Sequence, residues 1–400
     1  MNIHRPVCDI IVRALDSIFK DGMYADKVVS FQLKTNKKLG GRDRRFVAES
    51  VYEIVRWWRL FLFLLDHDLN SSGINYWHVL GMYLTRENID LPQWREFQGI
   101  KKTSWPQEKI KNFPFKIRES IPDWLDEMGR VELGDRWESC LTILNKQSSV
   151  ILRANRLKIT AKELCARLLN EEEIETRELA ADALELINRK NLFTSNAFQT
   201  GLFEIQDYSS QLVGPFLEPK KGERIIDACA GAGGKSLHMA ALMQNKGKII
   251  SLDVHSSRLE DLRKRASRAG VDIIEARVID SGKVIKRLEG VADGLLLDVP
   301  CSGLGVLRRK PDTKWKLTKE KVEGLINLQK ELLRDYSLMV KPGGRLVYAT
   351  CSILPRENKK NISAFLKDFP HFSLEKELSL MPDESGYDGF YMARLRNSRC

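Results

Sequence analysis

Two cysteines of this sequence stand where a thiol could do chemistry. Cys301 lies in Asp298-Val299-Pro300-Cys301-Ser302-Gly303, and Cys351 in Tyr348-Ala349-Thr350-Cys351-Ser352. Each follows an apolar run that reads as a strand, Gly294–Asp298 and Arg345–Thr350. Thiols at carboxyl ends of strands face the edge where open α/β folds bind ligands. A thiolate adds readily to an electrophilic carbon and leaves again easily. That suits methylation at carbon 5 of a pyrimidine, a poor nucleophile by itself. Addition at carbon 6 makes an enamine-like ring whose carbon 5 can attack a sulfonium methyl. A base then removes the carbon 5 proton and the thiolate departs. A second cysteine suits that release step. A free thiol, with a pKa of about 8.5, is only a few per cent ionised at neutral pH, so such a site must favour the thiolate. Asp298 can bond the ring nitrogen and amino group of a cytosine and support the charge that develops there.

A second constellation lies upstream. The loop Asp227-Ala228-Cys229-Ala230-Gly231-Ala232-Gly233-Gly234-Lys235 joins a strand, Ile225–Asp227, to a helix over Ser236–Met243. Its small residues let a ligand approach the backbone, and the helix start offers unpaired N–H groups. Asp253 ends the next strand, 253 − 233 = 20 residues past Gly233, where a carboxylate can hold ribose hydroxyls. Asp280 follows the third strand, Ile273–Val278. Alone, each aspartate reads as a turn or cap. Together they mark successive strand ends. No basic residue directly follows Asp253 to meet a second phosphate, so a nucleoside fits at least as well as a dinucleotide. Arg258 reads as a solvated helix-face charge.

Three segments must position these residues. Residues 1–140 read as all-helical: Val7, Ile10, Ile11, Ala14, Leu15 and Ile18 share one helix face. A second stripe runs from Phe46 to Leu65, preceded by glycines and by Asp43 as a candidate cap. Residues 141–205 read as a small α+β module, with a capping box at Thr160–Glu163 and weak strand signals near Ile174 and Leu184–Ile187. In residues 206–400, strands alternate with helices, including a long one over Thr318–Met339, which implies a parallel sheet covered on both faces.

The chain has 65 Lys+Arg against 54 Asp+Glu, a net charge of +11 that points to a polyanionic partner such as nucleic acid. Its seven cysteines are odd in number and show no Cys-x-x-Cys spacing, which argues against a zinc site or a disulfide framework. Cys8, Cys140, Cys165, Cys229 and Cys400 read as inert thiols. Free thiols fit a reducing cytoplasm. No signal-peptide core stands in residues 1–20, and no apolar run is long enough to cross a bilayer. No metal, no membrane and a monomer are expected.

The two cysteine motifs resemble the paired signature of RNA cytosine-5 methyltransferases of the Sun (RsmB) family. Gly201–Ser210, Arg308-Arg309-Lys310-Pro311-Asp312-Thr313-Lys314-Trp315 and Asp388–Leu395 are similar to further segments of that family, over roughly residues 150–396. Gly41–Glu49 and the tryptophan-rich stretch after it resemble its NusB-like helical domain. The resemblance implies a Rossmann-like class I methyltransferase domain of α/β class over 206–400. It implies a small α+β RNA-binding module (141–205) and an all-helical NusB-like RNA-binding domain (1–140) before it. It makes Cys351 the nucleophile and Cys301 the releasing thiol. It gives S-adenosylmethionine contacts to Cys229, Ala230, Gly231, Ala232, Gly233, Gly234, Lys235, Asp253, Asp280 and Asp298. The loop departs from the family's Cys-Ala-Ala-Pro-Gly-Gly-Lys at Gly231 and Ala232, a change that removes no contact group. Arg308, Arg309 and Lys310, near the chemical site in sequence, are candidate RNA contacts. Small-subunit (16S) ribosomal RNA is the favoured substrate and transfer RNA the alternative. Rival readings are a non-catalytic RNA-binding assembly factor, against which the intact cysteine pair argues, and an exocyclic-amine methyltransferase, which needs no thiol. A dinucleotide oxidoreductase is a distant third.

Overall fold

The computed structural model describes residues 3–100 and 105–399. The chain divides into two compact units. No helix among the described residues is long and apolar enough to cross a membrane.

The first unit comprises residues 1–146 and 307–319. Its main helices are Arg5–Phe19, Gly41–Arg56 and Tyr76–Arg86. The face expected from the sequence of the first helix is buried from Val7 to Ile18. It packs with Val47, Val51, Ile54 and Leu80 in one core. Asp43 does not cap its helix. Gly40 holds the cap position, and Asp43 sits in the first turn, where a negative charge meets the positive end of the helix dipole.

The segment 307–319 lies within the α/β domain by sequence, yet it folds with the helices. Lys314 is fully buried there. Its ammonium donates to the carbonyls of Arg56 (2.8 Å) and Ser120 (2.7 Å) and to Asn145 Oδ1 (3.1 Å). Burial pushes its pKa well below the usual lysine range. Trp315 Nε1 donates to the Val55 carbonyl at 2.7 Å, and Asp312 Oδ2 accepts the Ala25 N–H at 2.9 Å. These bonds pin the segment by side chains that no periodicity announces.

The second unit holds two sheets. The small sheet contains β1 (Ile151–Ala154), β2 (Thr176–Ala180), β3 (Ala183–Leu186) and β4 (Phe203–Ile205), in the order β2-β3-β1-β4. The capping box forms as expected, with Thr160 and Glu163 opening the helix Ala161–Glu172. The large sheet contains β5 (Arg224–Asp227), β6 (Lys248–Asp253), β7 (Ile274–Val278), β8 (Ala292–Asp298), β9 (Val340–Thr350), β10 (Phe372–Leu380) and β11 (Phe390–Asn397). Its order is β10-β11-β9-β8-β5-β6-β7.

Strands β5 to β9 are parallel, and Leu295, Leu296 and Leu297 of β8 are buried because helices cover both faces. The sequence implied a parallel sheet, but the sheet is mixed. β11 runs antiparallel to β9, and β10 antiparallel to β11. The expected long helix spans Lys319–Ser337.

Candidate active site

The cofactor edge is built by the loop after β5 and by the ends of β6 and β8. Gly233, at φ +81°, starts the helix Gly234–Leu242. A Cβ there would lie 2.5 Å from Leu262, so the turn admits only glycine. The Gly231 N–H donates to Asp253 Oδ2 at 2.9 Å, and the His255 N–H to Oδ1 at 2.8 Å. Each carboxylate oxygen has two lone pairs, so Asp253 can hold the loop and still accept ribose hydroxyls. The residues present therefore fit a nucleoside cofactor.

Asp227 is buried beneath the loop and accepts the Ser236 hydroxyl at 2.6 Å. Burial pushes its pKa up to about 6, against the lowering pull of Ser236. Lys235 donates to Asp298 Oδ2 at 2.6 Å. Burial works against the Lys235 charge, but Asp298 outweighs it and the pKa ends above the usual lysine value. A cavity of about 200 Å³ is lined by Gln206, Ser210, Asp227, Lys235, Arg265 and Asp298. Arg265, absent from the sequence-based candidates, donates to the Ala232 carbonyl at 2.7 Å and pairs with Glu204 at 2.9 Å.

Asp280 stands apart. It is exposed past β7, and its carboxylate accepts the Ser281 hydroxyl at 3.0 Å. Arg258 lies 3.9 Å from Asp253 and is largely exposed, so the pair is weak.

The two thiols meet. Cys301 Sγ and Cys351 Sγ are 3.3 Å apart. The hydrogen bond to Cys351, together with burial, raises the Cys301 pKa well above the ordinary thiol value. Either thiol can donate to the other. Backbone bonds tie the two strand ends: Val299 N–H to the Ala349 carbonyl (3.1 Å) and Gly305 N–H to the Cys351 carbonyl (3.0 Å). Gly305 also accepts the Gly389 N–H at 2.8 Å. A Cβ on Gly305 would lie 2.1 Å from the Gly389 oxygen, so this contact requires glycine.

The other cysteines do not join this pair. Burial pushes the Cys229 pKa up, as expected of an inert thiol. Cys8 and Cys140 are buried, Cys165 is half-buried, and Cys400 lies outside the described residues. No cluster of three or more His, Cys, Asp or Glu among the described residues could hold a metal ion.

Of the three candidate RNA contacts, Arg308 is only 9% exposed, and its carbonyl accepts Arg56 Nη2 at 2.9 Å. A side chain so enclosed has little surface to offer a phosphate. Arg309 is half-buried and Lys310 exposed. Glu357, Gln329 and Asn358, which are not among the sequence-based candidates, lie buried beside the cysteine loops. The polar run Arg356-Glu357-Asn358 after Pro355 is the available signal.

A Rossmann-like sheet with a nucleoside edge beside a thiol pair defines a class I methyltransferase. Residues 215–396 match the family described as 16S rRNA methyltransferase RsmB/F, and residues 121–192 its ferredoxin-like domain. The probable ribosomal RNA small subunit methyltransferase B of Bacillus subtilis is 37% identical, over 98% of each chain. The ribosomal RNA small subunit methyltransferase B of Shewanella oneidensis is 35% identical, over 72% of this chain and 69% of its own. The crystal structure of PH0851 superposes with a TM-score of 0.82 at 27% identity, covering 99% of this chain and all of the other. A methyltransferase homolog from Pyrococcus horikoshii gives 0.63 at 29% identity, over 71% of this chain and 97% of its own. The chain belongs to the RsmB/F family. It is an S-adenosylmethionine-dependent RNA methyltransferase of a ribosomal RNA methyltransferase family.

Proposed function

We propose that this protein methylates carbon 5 of a cytosine in small-subunit ribosomal RNA through a covalent adduct with Cys351. The observation that carries the proposal is the 3.3 Å approach of Cys301 and Cys351 at the ends of β8 and β9. A methyltransferase acting on an exocyclic amine has no use for such a pair. S-adenosylmethionine supplies the electrophilic methyl group. The Cys351 thiolate would add to carbon 6, the ring's electron pair would move to carbon 5, and carbon 5 would take the methyl group as its bond to the sulfonium sulfur breaks. Asp298, held by Lys235, would accept from the cytosine amino group and so orient the base. The carbon 5 proton then leaves to a base, the carbon–sulfur bond breaks, and Cys351 regains its electron pair. Cys301, whose sulfur lies 3.3 Å from that of Cys351, serves this release by passing its proton to the departing Cys351 sulfur.

The loop Cys229–Lys235, Asp253 and Asp298 would hold the cofactor, with Asp280, exposed past β7, at most an outer contact. The target base must leave any stack to reach the thiols. Lys34, Lys37, Lys38, Arg42 and Arg45 of the helical unit are exposed, and with Arg309 and Lys310 they supply the phosphate contacts. The ribosomal substrate rests on the relatives' names, and a cytoplasmic place of action follows from it. Bisulfite sequencing of RNA from a deletion strain tests the assignment. One small-subunit cytosine should lose protection and regain it on complementation. Loss confined to transfer RNA would replace the substrate, and no loss would overturn the proposal.

A further inference from the structure

Glu357 lies between β9 and the helix Lys359–Asp368 and is completely buried. Four donors converge on its carboxylate. Oε1 accepts the Ser302 N–H (2.8 Å) and Gln329 Nε2 (2.9 Å). Oε2 accepts the Ser302 hydroxyl (2.5 Å) and the Ser352 hydroxyl. Ser302 follows Cys301 in sequence and Ser352 follows Cys351. One side chain therefore grips the residue next to each thiol.

The surroundings hold that side chain in turn. Tyr348 of β9 donates its hydroxyl to the Glu357 carbonyl at 2.6 Å. Gln329 also donates to the Pro300 carbonyl at 3.0 Å, and Asn361 fixes Gln329 Oε1 at 3.0 Å. Asn358 accepts the Thr350 hydroxyl at 2.5 Å and donates to the Ser352 carbonyl at 2.8 Å. Bonds reach both flanks of Cys301 and both flanks of Cys351.

We propose that Glu357 is a positioning residue that sets the separation and aim of the Cys301 and Cys351 thiols. A carboxylate suits the place because it only accepts, and its lone pairs match four converging donors. A buried charge is a poor source of stability, since desolvation offsets what its partners return. Its return here is geometric. The two thiols act in successive steps on one ring, and a 1 Å error in such a pair costs about 100-fold in rate. The proposal rests on the reading that both thiols take part in the reaction.

The test needs neither RNA nor cofactor for its first arm. Diamide takes two electrons and two protons from a pair of thiols, becoming a hydrazine and leaving a disulfide. Closing that bond requires the sulfurs to approach to about 2.05 Å in a narrow dihedral range. The rate of forming the Cys301–Cys351 bridge, mapped by peptide mass spectrometry, therefore reports how the pair is held. Glu357→Ala should slow bridging about tenfold or more, and lower kcat about 100-fold with KM for RNA within about threefold. Glu357→Gln, which can still accept from Ser302 and Gln329, should fall between that variant and the wild type. Calorimetry of S-adenosylmethionine binding checks folding at a separate place in the unit. If Glu357→Ala does not fold, Glu357→Gln and Ser352→Ala carry the same comparison. Bridging at the wild-type rate, or kcat within about threefold of wild type, overturns the proposal. Slowed bridging in a protein whose wild type leaves cytosine unmodified would retain the clamp and remove the function assigned above.

Discussion

The loop after β5 and the cysteine loops after β8 and β9 sit at the same edge of one sheet but are built differently. The first is local. A glycine turn, a helix start and the Asp253 carboxylate on backbone N–H groups shape it, with Arg265 on the Ala232 carbonyl and Lys235 on Asp298 as its longer-range ties. The second is assembled from afar. Ser302 and Glu357 are 55 residues apart, and Gly305 meets Gly389 across a still longer interval. The cofactor edge must admit a ligand and keep acceptor capacity in reserve. The thiol edge must hold two reactive atoms to a fraction of an ångström, and it uses buried side chains to do so.

Breaking the thiol edge alone should produce the largest effect. Gly305→Ala places a carbon against the Gly389 oxygen and the Cys351 carbonyl. Methylation should fall about 100-fold while cofactor affinity, read by calorimetry, stays within about threefold. Breaking the cofactor edge should give the complementary pattern. Asp253→Ala should weaken S-adenosylmethionine about 10- to 100-fold, the worth of one or two charge-assisted hydrogen bonds. Diamide bridging of the thiols should not change in that variant. If both edges fail together in either variant, they are not separate constructions.

A smaller effect tests the floor beneath the cofactor loop. Burial raises the folded-state pKa of Asp227 to about 6, above its unfolded value. The stability this contributes is present at pH below the unfolded value and is lost as pH rises through about 6. Asp227→Asn removes that dependence. Its stability relative to wild type, followed by melting temperature, should therefore climb from pH 4 to pH 7. Between the unfolded and folded pKa values the climb approaches about 1.4 kcal/mol for each tenfold fall in proton concentration. His238, pushed down to about 4 by burial, acts in the opposite sense, but it is present in both proteins and cancels in the difference. A flat difference would contradict the buried carboxylate. The mildest intervention is salt. RNA affinity should fall steeply between low and moderate ionic strength, and a substitution at exposed Lys310 should lower the slope by about one ion.

The same contrast explains what could be read from sequence. The cofactor loop, β5, β6 and the capping box at Thr160 were legible because turn residues, short apolar runs and caps act within a few residues. The long helix was legible from its periodicity. β10 was not, because Phe372–Leu380 is largely exposed and carries charges between its apolar residues, which blurs the alternation. β11 lay hidden inside a segment notable only for its resemblance, Asp388–Leu395. Arg308 read as part of a basic run with Arg309 and Lys310, and Lys314 only as a member of a family-like segment, since nothing local shows that a buried lysine will find three oxygen acceptors in another part of the chain. Glu357 was not singled out for the same reason, its polar run being a weak signal by itself. Its partners come from three separate segments, and its own neighbours in sequence read as an ordinary polar turn.

The central claim is that Cys351 attacks the ring and Cys301 releases it. A denaturing gel of each cysteine variant, incubated with RNA and S-adenosylmethionine, tests it directly. Cys351→Ala should give no methylation and no protein–RNA band, because attack comes first. Cys301→Ala should accumulate a denaturation-resistant band, because attack and transfer proceed and elimination stalls. A band with Cys351→Ala and none with Cys301→Ala would contradict the account and make Cys301 the nucleophile.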